Sequence, residues 1–193
     1  MKPHKLVLTG DTSVGKTSII TRLVHKRFFQ TSHPTIGASF LSYVLSFNGK
    51  QVKINFWDTA GQERFRSMIS IYYRDVDICL LVFDITKFTL GGIEFWIKEY
   101  TTKKNLSNKP VKLILVGNKS DLLVSPDAYD KAGLDKLAEK HDAGLFIVSA
   151  MTGQNIDDLF AYIGEYLYQL KPEIEENNDI IIPDLDRRND YCC

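Results

Sequence analysis

The stretch Lys5-Leu6-Val7-Leu8-Thr9-Gly10-Asp11-Thr12-Ser13-Val14-Gly15-Lys16-Thr17 decides the reading of this chain. Five residues of strand character run into a loop that matches G-x-x-x-x-G-K-[ST]. The next segment, Lys16–Lys26, has helical spacing, with Ile19, Ile20, Leu23 and Val24 on one side. Each part of the loop has a physical task. Its glycines let the backbone wrap closely, so that several N–H groups point inward at a phosphate. The helix that follows offers its positive end to the same group. Lys16 adds a full charge, and the Thr17 hydroxyl suits Mg²⁺. Read alone, the loop says only that a nucleoside triphosphate is bound.

Moving outward, Arg27–Ala38 shows no period and is expected to be a mobile surface segment. Phe40–Phe47 and Gln51–Trp57 alternate apolar and polar residues around Asn48-Gly49, a pair that favours a tight hairpin turn. Strands are expected at Ile78–Phe83, Lys112–Val116 and Leu145–Val148. Helices are expected near Phe65–Tyr73, Gly92–Lys103, Ala128–His141 and Ile156–Leu170. Strands interleaved with helices of this length imply an α/β fold: a mostly parallel six-stranded sheet, one antiparallel edge strand, and helices on both faces.

The chain has 193 residues and is 44% hydrophobic, enough for one domain with a full core. Its formal net charge is zero but unevenly spread. Residues 1–171 carry 22 basic and 17 acidic side chains; residues 172–193 carry 2 and 7. We therefore expect a folded domain over 1–171 and a disordered acidic tail over 172–193. With no basic stripe, nucleic acid is not an expected partner. Cys79 lies in an apolar run and reads as core; Cys192 and Cys193 end the chain. Such usage is no disulfide framework and fits a reducing compartment. No signal peptide is read at the N-terminus, no run of 18 apolar residues occurs, and Lys2 excludes N-myristoylation.

Two further segments narrow the nucleotide. Asn118-Lys119-Ser120-Asp121 follows a strand, at the sheet edge where open α/β sheets bind ligands. The Asp121 carboxylate can accept hydrogen bonds from guanine N1 and N2, a donor pair that adenine lacks, so a buried Asp121 rejects adenine. Trp57-Asp58-Thr59-Ala60-Gly61-Gln62-Glu63 places a carboxylate, a glycine and an amide in sequence. Asp58 can hold the Mg²⁺ shell, Gly61 can bring a backbone N–H to the γ-phosphate, and Gln62 can orient a water. Thr35 supplies a hydroxyl for Mg²⁺ and an N–H for the γ-phosphate.

Taken with Ile36–Phe40, Lys53–Glu63, Arg64–Ser67, Tyr72–Asp75 and Leu80–Thr86, these motifs resemble a small GTPase of the Ras superfamily, and within it the Rab family, over about residues 5–170. The resemblance implies a P-loop small-GTPase fold and GTP/GDP with Mg²⁺ as cofactors. It implies that Ser13, Val14, Gly15, Lys16, Thr17 and Ser18 contact the phosphates, Lys16 also serving catalysis. Thr17, Thr35 and Asp58 would attend the metal, and Gln62 would position the water. Phe28 would pack beside the base, which Asn118, Lys119, Asp121, Ser149 and Ala150 would hold. Arg27–Ala38 and Gly61–Tyr73 would be switches ordered by the γ-phosphate. Phe40, Trp57 and Tyr72, read alone as core aromatics, resemble the cluster that Rab effectors contact. Cys192-Cys193 resembles a doubly geranylgeranylated ending. One lipid chain binds a membrane only marginally, and an acidic tail adds no electrostatic attraction, so two prenyl groups would carry the anchor.

The family further implies an exchange factor, a GTPase-activating protein, effectors, a prenylation escort and an extraction factor. Ile180-Ile181-Ile182, an apolar island in the tail, is a candidate docking segment for the last two. The chain is expected to be a monomer on the cytoplasmic face of an intracellular membrane, with a cytosolic pool. Thr35–Phe40 looks most like the early-endosomal Rab subgroup. Thr12 and Met151 depart from the pattern, which has a smaller residue and a lysine respectively. Thr12 is expected to slow hydrolysis and Met151 to speed nucleotide release. A P-loop kinase would share Gly10–Thr17 but want an arginine-rich lid, which is not read here. A non-hydrolysing nucleotide-binding scaffold is disfavoured by Gln62 and Thr35, though Thr12 leaves it open.

Overall fold

A computed structural model describes residues 2–30, 35–61, 72–104, 110–125 and 128–170. Six strands form one sheet: β1 His4–Thr9, β2 Ala38–Phe47, β3 Lys50–Thr59, β4 Ile78–Asp84, β5 Lys112–Asn118 and β6 Gly144–Ile147. Their order across the sheet is β2-β3-β1-β4-β5-β6. Only the β2–β3 pair is antiparallel; the other neighbours run parallel. Asn48 and Gly49 both take positive φ, 45° and 73°, so the tight turn forms where the sequence demands it.

Four described helices cover the sheet: α1 Lys16–His25, α2 Leu90–Lys104, α3 Lys131–Lys140 and α4 Ile156–Gln169. The alternation of side chains along each strand divides the core in two. On one face Leu6, Leu8, Phe56, Leu80 and Val116 pack under Ile19 and Leu23 of α1 and Leu159, Phe160 and Ile163 of α4. On the other, Val7, Cys79, Leu81 and Leu115 pack under Ile93, Trp96 and Ile97 of α2 and Leu134 and Leu137 of α3. Each such fully buried side chain contributes about 1.5–3 kcal/mol. Cys79 is a core residue, as expected; burial pushes its thiol up to about 12, which keeps it protonated and unreactive.

Most element boundaries differ from the sequence reading by one or two residues: the strand expected over Leu145–Val148 is Gly144–Ile147, and the helix expected over Gly92–Lys103 is Leu90–Lys104. Two differences bear on the site or its supports. The helix expected from Ala128 starts at Lys131, because the Asp130 side chain accepts a bond from Gly133 N at 2.9 Å and caps the helix there. Ala38, expected in the aperiodic segment, already belongs to β2 and pairs with Thr59. The expected helix Phe65–Tyr73 lies largely outside the described residues, as do Gln62, Ile180–Ile182, Cys192 and Cys193. No described helix is long and apolar enough to cross a membrane.

The parallel register positions the site. In neighbouring strands Leu8 aligns with Asp58, Thr9 with Leu81, and Asp84 with Asn118. The carboxyl ends of β1, β3, β4 and β5 therefore open on one edge, with the loop from residue 10 at its centre.

Candidate functional site

The loop turns on three positive-φ residues: Gly10 at 131°, Ser13 at 60° and Gly15 at 96°. The two glycines are also sterically required. A Cβ on Gly10 would stand 2.0 Å from Val82 O, and one on Gly15 would stand 2.2 Å from Asn118 Nδ2. The α1 start is uncapped: Gly15 makes no side-chain cap, the first turn holds no acidic residue, and Ile19 N donates to Gly15 O at 3.0 Å. Uncapped N–H groups and the positive end of the helix are thus left for an anion at the start of α1.

Lys16 is only 6% exposed, and its Nζ donates to Gly10 O at 3.0 Å and Asp11 O at 2.7 Å. Burial pulls its ammonium down to about 8, while Asp58 and Asp11 push the other way. A buried cation held by two neutral carbonyls is an anion site in waiting. The Asp11 carboxylate does not enter the loop; its Oδ1 accepts from Trp96 Nε1 at 3.1 Å.

Three oxygens converge beside Lys16. Thr17 Oγ1 donates to Asp58 Oδ2 at 2.5 Å and lies 3.1 Å from Thr35 Oγ1, which is 3.5 Å from the same carboxylate oxygen. Asp58 is buried, and its Oδ1 has no hydrogen-bond partner among the described residues. Burial raises its carboxyl pKa, opposed by Thr17, Lys16 and Thr35. An all-oxygen set with one carboxylate and an orphaned acceptor fits Mg²⁺, which takes few protein ligands and completes its octahedron with phosphate oxygens and water. Gly61 packs directly on the loop: a Cβ there would lie 2.4 Å from Asp11 C and 2.5 Å from Thr12 N.

The second half of the site surrounds the end of β5. Asn118, 2% exposed, donates from Nδ2 to Val14 O at 2.8 Å and accepts at Oδ1 from Ala150 N at 3.0 Å. It thereby ties the phosphate loop to the loop after β6. Ser149 Oγ donates to Asp121 Oδ1 at 2.5 Å, fixing that carboxylate, and accepts from Thr152 N at 3.0 Å. Lys119 sits at φ 70° and pairs with Asp84 Oδ2 at 2.8 Å. Partial burial pushes the Asp84 carboxyl up, but bonds from Lys119 and Thr86 outweigh it and hold the pKa low. The Lys119 charge is thus committed to Asp84, which leaves its stem for a base. Phe28 leans on the α1–α4 core, half-buried.

The expected aromatic trio also meets. The Phe40 and Trp57 rings are 5.1 Å apart, and Trp57 and Tyr72 are 5.2 Å apart. Phe40 is 54% exposed and the other two are half-buried, so the cluster faces outward as well as bracing the sheet. Sequence reasoning missed Arg22, Asp84 and Trp96. Each finds its partner far along the chain, and no local pattern marks it.

The comparisons with known proteins agree with this geometry. Residues 5–169 match the Ras family model. The chain is 42% identical to "Probable Ras-related protein Rab-4A" of Echinococcus multilocularis, over 81% of this chain and 69% of the relative. It is 38% identical to "GTP-binding protein YPT53" of Saccharomyces cerevisiae, over 83% and 74%. It is 36% identical to "Ras-related protein RABF2b" of Arabidopsis thaliana, over 98% and 94%. An edge of parallel strands carrying a phosphate loop, and a match that spans nearly the whole described chain, have one reading: the chain belongs to the Ras family, as a Rab-type small GTPase of vesicle trafficking.

Proposed function

We propose that the edge formed by Gly10–Thr17, Thr35, Asp58, Asn118–Asp121 and Ser149–Ala150 holds GTP with Mg²⁺, and that its hydrolysis resets a switch read by effectors. The observation that carries this is the convergence of Thr17, Thr35 and Asp58 beside the buried Lys16, with one Asp58 oxygen unpartnered among the described residues. The loop N–H groups and Lys16 cradle the phosphates. Thr17, Thr35 and Asp58 hold the Mg²⁺, which when bound neutralises charge on the β- and γ-phosphates. Asp121 reads guanine N1 and N2, Ala150 N lies at the same pocket, and Asn118 sets the distance between base and phosphate loops. Thr35 and Gly61 flank the γ-phosphate position, so its loss releases the segments they lead into. Gln62 orients the attacking water. The test is single-turnover hydrolysis of pre-bound GTP: measurable turnover in the wild type and near-complete loss in Gln62→Leu. Retained turnover in that variant would remove Gln62 from its role.

Thr12 tunes this reaction. Its peptide is packed against Gly61, the residue that leads into Gln62. A β-branched side chain there crowds the space where water must align, and small misplacements near a reacting centre cost large rate factors. Thr12→Gly is expected to raise the single-turnover rate about tenfold without loss of GTP affinity. An unchanged rate would refute the crowding argument.

The folded domain, 1–171, is proposed to be tethered by a tail, 172–193, prenylated on Cys192 and Cys193, with an exchange factor, an activating protein, effectors, a prenylation escort and an extraction factor as partners. The Phe40–Trp57–Tyr72 surface is the proposed effector contact, and Ile180–Ile182 the proposed tail contact with escort or extraction factor. An endosomal membrane is the proposed location. Changing both terminal cysteines to serine is expected to move the tagged chain wholly into cytosol, because at least one lipid chain is needed for even marginal binding. Membrane retention of that variant would show a different anchor.

A further inference from the structure

One side chain bridges the two halves of the site through backbone carbonyls alone. Arg22 lies in the last turn of α1, the helix that begins at Lys16. Its Nε donates to Ala150 O at 2.7 Å, and its Nη2 donates to Met151 O. Its Nη1 donates to Lys26 O at 3.0 Å, at the left-handed residue that ends α1. All three bonds run from one planar, permanently charged group to backbone carbonyls, the fork geometry that only arginine offers. The carbonyls of residues 150 and 151 belong to the loop whose Ala150 N is held by Asn118 and whose Ser149 fixes Asp121. Within the loop, Gln154 O accepts from Ser149 N and Ser149 O accepts from Gly153 N, and Ser120 Oγ donates to Gln154 Oε1 at 3.0 Å from the segment that carries Asp121. Asn118 ties it to β5, and Arg22 ties it to the phosphate helix.

We propose that Arg22 is a positioning residue for guanine: it clamps the 149–151 loop to α1 and so sets the rate at which nucleotide leaves. The proposal rests on the assignment of that loop to the base pocket. Without the clamp, the loop keeps its ties to Asn118, Ser120 and Asp121 but loses its tie to α1, so the base side as a unit can open away from the phosphate helix while Lys16, Thr17 and Asp58 remain in place. Met151, half-exposed, is held here by its backbone rather than by its side chain, so Arg22 fixes this loop whatever side chain stands at that position.

Full-length protein is loaded with a fluorescent GDP analogue and chased with excess GDP, once with Mg²⁺ and once with EDTA. Arg22→Ala is expected to speed release about tenfold, a change of about 1.4 kcal/mol. Because the clamp acts on the base side and chelation on the phosphate side, the two effects are expected to multiply, with the same tenfold factor in EDTA. Arg22→Lys, which keeps the charge but not the fork, is expected to recover less than half of the change on a logarithmic scale. Release within twofold of wild type, an effect that disappears in EDTA, or full recovery by lysine would each overturn the proposal. Should Arg22→Ala not fold, Arg22→Gln carries the same expectation against the same limits. A wild-type chain that failed to retain the analogue at all would instead remove the assignment of the base pocket.

Discussion

Asp121→Asn is expected to lower GDP affinity by two orders of magnitude or more and to raise affinity for xanthosine diphosphate. The carboxylate accepts only, which suits the two donors on guanine N1 and N2. Hydrogen bonds to a charged group contribute about 1.5–3 kcal/mol each. The amide keeps only a neutral bond to N1–H and sets its own donor against N2. Losing one charged bond, weakening the other and leaving two donors face to face costs roughly 10²–10⁴ in affinity. The amide offers one donor and one acceptor, the pattern that xanthine presents with its O2 and N1–H. The replacement is nearly isosteric, and Ser149 Oγ, which now donates to Asp121 Oδ1 at 2.5 Å, can donate equally to the amide oxygen. The change therefore falls on specificity and not on the fold. Equilibrium binding of fluorescent analogues of both nucleotides checks it. A variant that still prefers GDP would mean that Asp121 does not read the base.

How much of this was legible beforehand follows from where each interaction has its partner. The phosphate loop was legible because its glycines, its lysine and its hydroxyl are contiguous, and its strand and helix flank it directly. Asn118 and Asp121 were legible for the same reason, although the double role of Asn118, linking Val14 O to Ala150 N, was not. The hairpin was legible because Asn48-Gly49 is a local conformational demand. The start of α3 was misplaced by three residues because helical periodicity begins before the cap, and only the Asp130–Gly133 bond marks the true beginning. Arg22, Trp96 and Asp84 were silent. Their partners, Ala150, Asp11 and Lys119, lie 128, 85 and 35 positions away, distances that only the folded sheet closes. Trp96 packs in the core under α2, and its indole N–H also donates to Asp11 Oδ1 at 3.1 Å, a contact that no local pattern marks.

Lys16→Met separates binding from folding. In the unloaded protein the ammonium is buried, which pulls its pKa down to about 8. Methionine has similar length, fills the same space and removes the cost of desolvating a charge. Against that, the Gly10 and Asp11 carbonyls lose their donor, and Asp58 loses a favourable cation. These terms oppose one another at about 1–3 kcal/mol each, so the melting temperature of the unloaded chain is expected to shift by only about 3 °C. Nucleotide binding behaves differently, because no other described side chain places a cation inside the loop. Removing one partner of a buried, hydrogen-bonded charge pair costs about 2–5 kcal/mol, so GDP affinity is expected to fall roughly 10²–10³-fold. For the wild type, GDP at 100 times its dissociation constant adds about 2.7 kcal/mol of stability. In a chain of this size that raises the melting temperature by roughly 5–10 °C. The variant is expected to lose nearly all of this rise at the same GDP concentration while its unloaded transition stays in place. Thermal unfolding with and without GDP measures both numbers. A rise of wild-type size in the variant would show that the loop amides and the end of α1 hold the phosphates without Lys16. A collapse of the unloaded transition would show that the lysine is a strut of the fold before it is a ligand.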